Sequence, residues 1–177
     1  MSASGRGQAT KYVYLLRHAK SSWEDPGLDD HERPLAPRGR KAAKRVGRYL
    51  EDARIRPALV LCSSARRTQE TLERLAPRLP GTTRIEIEPG LYGASARTLL
   101  ARLQQLPESV DSVLVVGHNP GVQELALLLA ARGERLADVR ATFPTGALAT
   151  LALDGAWSDL RPGGAELVAF VAPRELR

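Results

Sequence analysis

Short runs of consecutive apolar residues alternate along this chain with stretches in which apolar positions recur every three or four residues. Residues 12–16 (Tyr-Val-Tyr-Leu-Leu), 58–62 (Ala-Leu-Val-Leu-Cys) and 112–117 (Ser-Val-Leu-Val-Val-Gly) are runs of the first kind. They are too short for typical helices and are bounded by polar or turn-forming residues, so they predict buried strands. Residues 83–88 (Thr-Arg-Ile-Glu-Ile-Glu) alternate instead, which predicts a strand with one wetter face. Helical spacing marks 38–53 through Ala42, Ala43, Val46, Tyr49 and Leu50, and 95–105 through Leu99, Leu100 and Leu103. Two further helices are expected. One runs from a Ser63 or Ser64 cap to about Leu79 with Glu70 and Glu73 in its body, the other from Val122 to about Ala131. Strands at 146–153 and 165–171, separated by a Gly/Pro/Asp-rich turn region, complete the order.

Alternation of strands and helices predicts an α/β fold, a three-layer α/β/α sandwich around a largely parallel sheet. A length of 177 residues suits one domain with a real core, here 11–177, behind a flexible Gly/Ser-containing segment at 1–10. No internal repeat or low-complexity block interrupts it.

Charge narrows the partners only a little. Lys and Arg number 26 against 20 Asp and Glu, a net charge of +6 that favours anionic partners. The basic residues sit mostly in helical segments (Arg38, Arg40, Lys41, Lys44, Arg45, Arg48), interleaved with other residue types as on a solvated helix face. Aromatic residues are 5% of the chain, too sparse for a base-stacking platform, so nucleic acid is not the expected partner. Cys62 is the only cysteine, which excludes an internal disulfide and a thiolate zinc cluster, and its apolar run marks it as a small buried hydrophobe. No stretch has the length of a membrane-spanning helix and residues 1–10 lack a signal peptide's apolar core, so a cytoplasmic location without membrane contact is expected.

Chemistry gathers where the strands stop. Of the three histidines, His18 and His118 each directly follow a strand pattern, and open α/β sheets build ligand sites at the carboxyl ends of their strands. Arg17 leaves the first strand with His18, and Arg66 and Arg67 follow the second. If strands one, two and four are neighbours, Arg17, His18, Arg67 and His118 share one pocket. That set suits a phosphoryl group: guanidinium forks match phosphate oxygens, and a neutral imidazole can attack phosphorus. Flanking arginines would help to keep the imidazole unprotonated. His31 reads as an exposed polar residue, and its neighbouring carboxylates match no metal-ligand spacing, so no metal site is expected. Trp23 and Trp157 suit packing as well as substrate contact.

These residues resemble the histidine phosphatase (phosphoglycerate mutase-like) superfamily. Leu16-Arg17-His18-Ala19-Lys20 looks like its Arg-His motif, Arg67-x-x-x-Thr71 its second arginine motif, and Gly117-His118-Asn119-Pro120 its second histidine motif. Arg33-Pro34-Leu35-Ala36-Pro37-Arg38-Gly39 is similar to the segment that opens the following helix there. Order and spacing agree from about residue 12 to 171, and the short length and the Arg-His-Ala-Lys-Ser-Ser-Trp form look closest to small bacterial SixA-like phosphohistidine phosphatases. The resemblance implies a phosphoglycerate mutase-like fold. His18 would be the nucleophile that becomes phosphohistidine, with Arg17, Arg67 and His118 binding the phosphoryl oxygens, and no metal or organic cofactor. Arg66 is the lesser match because only Arg67 has a threonine four residues on. Apart from the resemblance, Lys20 and Arg33 read equally as substrate-binding cations that line the entrance and as simple surface charge.

Two positions depart from the family pattern. Ala19 replaces a glycine, a mild change. Tyr92-Gly93 stands where larger members carry a glutamate general acid, while Glu86 and Glu88 belong to the strand pattern. An alkoxide leaving group needs a proton and a phosphohistidine's imidazole does not need one from the enzyme once protonated, so a missing acid favours a phosphohistidine on a phosphocarrier or phosphotransfer protein. Two alternatives stand beside it. One is a small phosphorylated metabolite or nucleotide with an acid borrowed from Asp29, Asp30 or water, and the other is a phosphate-binding regulatory module without turnover. Oligomeric state has no signature in the sequence.

Overall fold

The computed structural model describes residues 9–177; most of the expected flexible N-terminus, residues 1–8, lies outside the described residues. Seven strands form one sheet: β1 (Lys11–Arg17), β2 (Leu59–Ser63), β3 (Arg84–Glu88), β4 (Ser112–Gly117), β5 (Ala130–Arg132), β6 (Leu148–Leu153) and β7 (Ala165–Val171). Their order is β3-β2-β4-β1-β6-β7-β5, with β6 the one strand that pairs antiparallel on both sides. Among the described residues five α-helices connect them: α1 (Pro37–Asp52), α2 (Arg66–Leu75), α3 (Ala96–Gln104), α4 (Gly121–Leu129) and α5 (Leu136–Ala141). This is the expected three-layer arrangement around a largely parallel sheet.

The unbroken apolar runs are explained by two cores, one on each face of the sheet. Val13 and Leu15 of β1, with Val113 and Val115 of β4, pack into the core beneath α3, α4 and α5. Tyr14, Leu16, Leu114 and Val116 turn the other way, toward α1 and α2. A central strand that must bury every second residue on either face has no polar position left. Replacing a fully buried leucine such as Leu15 by alanine costs about 2–5 kcal/mol.

Several boundaries differ from the expectation, each for a local reason. α2 stops at Leu75 and a 3-10 turn, Ala76–Arg78, replaces its last turn, because Pro77 has no N–H to donate and its ring crowds the preceding turn. Its N-cap is Ala65, not Ser63 or Ser64: both serine hydroxyls are drawn to histidines described below. α4 ends at Leu129, and residues 130–132 switch to a short strand that pairs in parallel with β7. Helix α5 was not anticipated, since Leu136 and Val139 give only one i,i+3 step of apolar spacing. In β3 the apolar side is the wet one. Ile85 and Ile87 are 47% and 42% exposed, because β3 is the edge of the sheet, and Glu86 and Glu88 instead meet Arg102 of α3. No helix among the described residues is long and apolar enough to cross a membrane.

Candidate active site

Strands β2, β4 and β1 lie side by side and parallel, with Arg17 opposite Gly117 and Cys62 opposite Val116. The three strands therefore end at one level, delivering His18 after β1, His118 after β4 and Ser63 as the last residue of β2. The two imidazole rings sit with centroids 5.3 Å apart. The backbone fixes this junction: the His18 N–H donates to the Gly117 carbonyl at 3.0 Å, and the Gly146 N–H donates to the carbonyls of Arg17 and His18.

His18 is buried, and its Nδ1 lies 2.7 Å from the Ala19 carbonyl oxygen. A carbonyl can only accept, so Nδ1 carries the ring proton and Nε2 keeps its lone pair. Burial pushes the His18 pKa down to about 3, helped by the neighbouring His118, Arg67 and Arg17 and opposed by the Ala19 hydrogen bond. The ring is thus neutral at neutral pH, with an Nε2 lone pair that is chemically able to attack phosphorus. The arginines contribute, but desolvation is the larger cause. His118 is likewise pushed down to about 4, first by burial and then by Arg67. Its Nε2 is 2.7 Å from the Ser63 hydroxyl, and its Nδ1 is buried without a protein partner.

The cations come from the neighbouring turns. Arg17 donates from Nη1 to the Phe143 carbonyl at 2.9 Å, while its buried Nε has no protein partner. Arg67 is buried in the first turn of α2, where Thr71 ties it to the nucleophile loop: the Thr71 hydroxyl donates to the Arg67 carbonyl at 2.7 Å and accepts from the Ala19 N–H at 3.0 Å. Arg66 points elsewhere, exposed and paired with Glu70 at 2.9 Å. Asp30 orients the Arg67 guanidinium, with Nη1 on its carbonyl at 2.7 Å and Nη2 on its Oδ2 at 3.0 Å. The Tyr92 hydroxyl donates to the same Oδ2 at 2.6 Å, and its ring stands edge-on to His118 with centroids 5.5 Å apart. Tyr92, then Arg33 and Arg67, hold Asp30 well below the usual carboxylate range, and Asp30 in turn pushes the Tyr92 hydroxyl up. Buried donors, fixed guanidinium groups and a neutral imidazole lone pair in one place suit a phosphoryl group and its transfer to nitrogen.

Residues 13–99 match the family model of the histidine phosphatase superfamily, branch 1. An uncharacterised protein of Mycobacterium tuberculosis is 38% identical over 166 residues, which span 90% of this chain and all of that relative. A SixA phosphohistidine phosphatase candidate from Agrobacterium tumefaciens shares the fold with a TM-score of 0.78 at 33% identity, over 92% of this chain and 98% of that one. The chain belongs to the histidine phosphatase superfamily. A third match is the protein histidine phosphatase SixA in complex with tungstate, at TM-score 0.77 and 26% identity over 93% and 98% of the two chains. As a member of this superfamily the chain is a phosphatase.

Within the histidine phosphatase frame the structure gathers Arg17, His18, Arg67 and His118, while Arg33 is engaged inside the protein. Arg33 is buried: it donates to Asp30 Oδ1 at 2.8 Å, to the Ser22 carbonyl at 3.2 Å and to the Ser21 hydroxyl, and it stacks on Trp23 at 3.3 Å from the ring centroid. It props Asp30, with Nε and both terminal nitrogens each making one of these contacts. Lys20 lines an adjoining groove with Thr145. His31 is less isolated than the sequence suggested, bonded to Ser64 at 2.9 Å and packed edge-on to Tyr92. Trp157 is a core residue and Trp23 is exposed beneath Arg33. Cys62 is buried with its thiol pushed up to about 12 by desolvation, which makes it inert as a nucleophile. Sequence reasoning missed Ser63 and Tyr92 as partners of His118 and Asp30, and had Asp30 only as a spare acid. The position of Tyr92, in place of a family glutamate, was the one signal available for it.

Proposed function

We propose that this histidine phosphatase removes the phosphoryl group from a phosphohistidine carried by a protein, through a covalent intermediate on His18 Nε2. The observation that carries the reading is the state of Asp30. It is the carboxylate tied to the phosphate cluster, and Tyr92, Arg33 and Arg67 hold it as an anion, so it has no proton to give a departing alkoxide. Glu86 and Glu88 are spent on Arg102. An alkyl phosphate without a general acid loses a factor of about 10²–10⁴ in rate, whereas a ring-protonated phosphohistidine leaves as neutral imidazole without one.

In the first step the His18 Nε2 lone pair forms a bond to phosphorus as the P–N bond to the substrate imidazole breaks, its electron pair returning to that ring. Arg17, Arg67 and His118 stabilise the charge on the equatorial oxygens. The Ala19 carbonyl keeps the proton on His18 Nδ1, so the phosphorylated ring carries positive charge and is itself a good leaving group. Water then attacks phosphorus, the Nε2–P bond breaks with its electrons returning to His18, and the water proton leaves on inorganic phosphate. The test is phosphate release from a phosphohistidine-bearing carrier protein against a panel of phosphomonoesters, for wild type and His18→Ala. The expected result is release from the carrier that vanishes in the variant. Faster specific turnover of an alkyl ester would overturn the phosphohistidine reading, and tight phosphate binding without turnover of any substrate would favour a regulatory module.

A further inference from the structure

Beside the catalytic cluster runs a groove whose charge is one-sided. Lys20, Arg38, Arg45 and Arg174 line it, interleaved with Pro144 and Pro173. No carboxylate belongs to this groove, although four other surface grooves each include at least one, among them Glu134, Asp154, Glu51 and Glu70 in turn. Among the described residues none of the four cations takes part in an ion pair, while Arg33, Arg66, Arg67 and Arg102 all do. The mixed surface charge of the rest of the chain is therefore sorted here into a single sign.

The groove is also joined to the site by backbone. Lys20 is two residues beyond His18. Gly146, whose N–H fixes the Arg17 and His18 carbonyls, presses so closely on Pro173 that an added Cβ would lie 2.7 Å from its Cγ. The Phe143 carbonyl that holds Arg17 directly precedes Pro144. At the start of α1, Gly39 packs on the Lys20 backbone and brings Arg38 alongside. A macromolecule that places a phosphorylated side chain at His18 must rest on the surface next to it, and this groove is part of that surface.

Resting on the reading of a protein substrate, we propose that the groove docks an acidic face of the phosphoprotein that flanks its phosphohistidine. Unpaired guanidinium groups on a rim speed encounter and fix orientation with carboxylates opposite them. The prolines and the partly buried Ala42 between them suit a folded, partly apolar protein face better than a polyphosphate backbone, which would need a continuous track of cations.

The experiment compares wild type with the double variant Arg45→Glu/Arg174→Glu, two groove residues that make no hydrogen bond or ion pair with Arg17, His18, Arg67 or His118. Substrates are an acidic histidine-phosphorylated phosphotransfer domain and free phosphohistidine, and a deca-glutamate peptide serves as a direct binding probe and competitor. The expected result is that kcat/KM on the phosphoprotein falls tenfold or more while free phosphohistidine turnover stays within twofold. The peptide should inhibit only the protein reaction, and its binding should vanish in the variant. Equal losses on both substrates, unchanged turnover of the phosphoprotein, or stronger competition by a DNA oligonucleotide than by the peptide would overturn the proposal. If no phosphohistidine substrate is turned over, yet the peptide binds wild type and not the variant, the substrate reading fails and the acidic docking groove stands.

Discussion

At the scale of single residues, the proposed reaction rests on one proton and one carboxylate. The proton is on His18 Nδ1, held there by the Ala19 carbonyl, and burial keeps a second proton off Nε2. In the free enzyme both His18 and His118 should remain neutral at pH 5.5, well below the ordinary histidine value, because their folded pKa values lie at about 3 and about 4. Imidazole ¹⁵N shifts settle this, and a protonated His18 at that pH would refute the desolvated nucleophile. The carboxylate is Asp30, which orients Arg67 while Tyr92 holds it. Tyr92→Phe removes one hydrogen bond from that chain, so kcat/KM on a phosphohistidine substrate is expected to fall by less than about tenfold with no change in the pH profile of kcat. A general acid at Tyr92 would instead cost about 10²–10⁴ and erase a basic limb, which the same measurement would reveal.

At the scale of elements, two helix starts hold the loops around the site, and each depends on a missing side chain. An added Cβ at Gly39 of α1 would lie 2.1 Å from the Lys20 carbonyl oxygen, and one at Gly121 of α4 would lie 2.2 Å from the Ala94 carbonyl oxygen. Both obstacles are backbone, so neither can swing aside. Gly39→Ala must push α1 away from the segment after His18, and we expect a loss of about 1–3 kcal/mol in denaturant unfolding together with lower turnover. Gly90→Ala is the control: nothing lies within 4 Å of its added Cβ, and its stability should stay within about 0.5 kcal/mol of wild type. A Gly39→Ala variant as stable as the Gly90→Ala control would overturn the close-approach account of Gly39. The serines at the end of β2 make the complementary point. Sequence offers Ser63 and Ser64 as helix caps, yet their hydroxyls meet His118 and His31, and α2 starts without a side-chain cap.

For the whole molecule, burying two neutral histidines links stability to pH. Their folded pKa values lie below the unfolded value of 6.5, so between about pH 3 and 6.5 the unfolded chain binds more protons than the native one. Stability contributed by these sites is fully present above pH 6.5 and is lost as the pH falls through that window. The thermal midpoint should therefore drop from pH 7 to pH 4, and His18→Asn/His118→Asn should flatten the part of that slope due to these rings. An unchanged slope in the double variant would place acid sensitivity elsewhere, in the carboxylate pairs.

The sequence by itself determined six of the seven strands found among the described residues, most of the helices and the meeting of Arg17, His18, Arg67 and His118 at one end of the sheet. Strand burial leaves an unbroken apolar signature, and residues at strand ends are positioned by their own short stretch of chain. Arg67 was separable from Arg66 by the threonine one helical turn on, a contact local enough to be written in spacing. What lay beyond it were decisions made between segments far apart in the chain. Ile85 and Ile87 look like a buried face until β3 is found at the edge of the sheet. Arg33 looks free to meet substrate until Asp30, Ser21, Ser22 and Trp23 are seen around it. Asp30 was read from the sequence as a spare acid, and only the approach of Tyr92 and Arg67, 62 and 37 residues away, turns it into a fixed anion. The protonation state of a side chain belongs to its surroundings, and those exist only once the chain has folded.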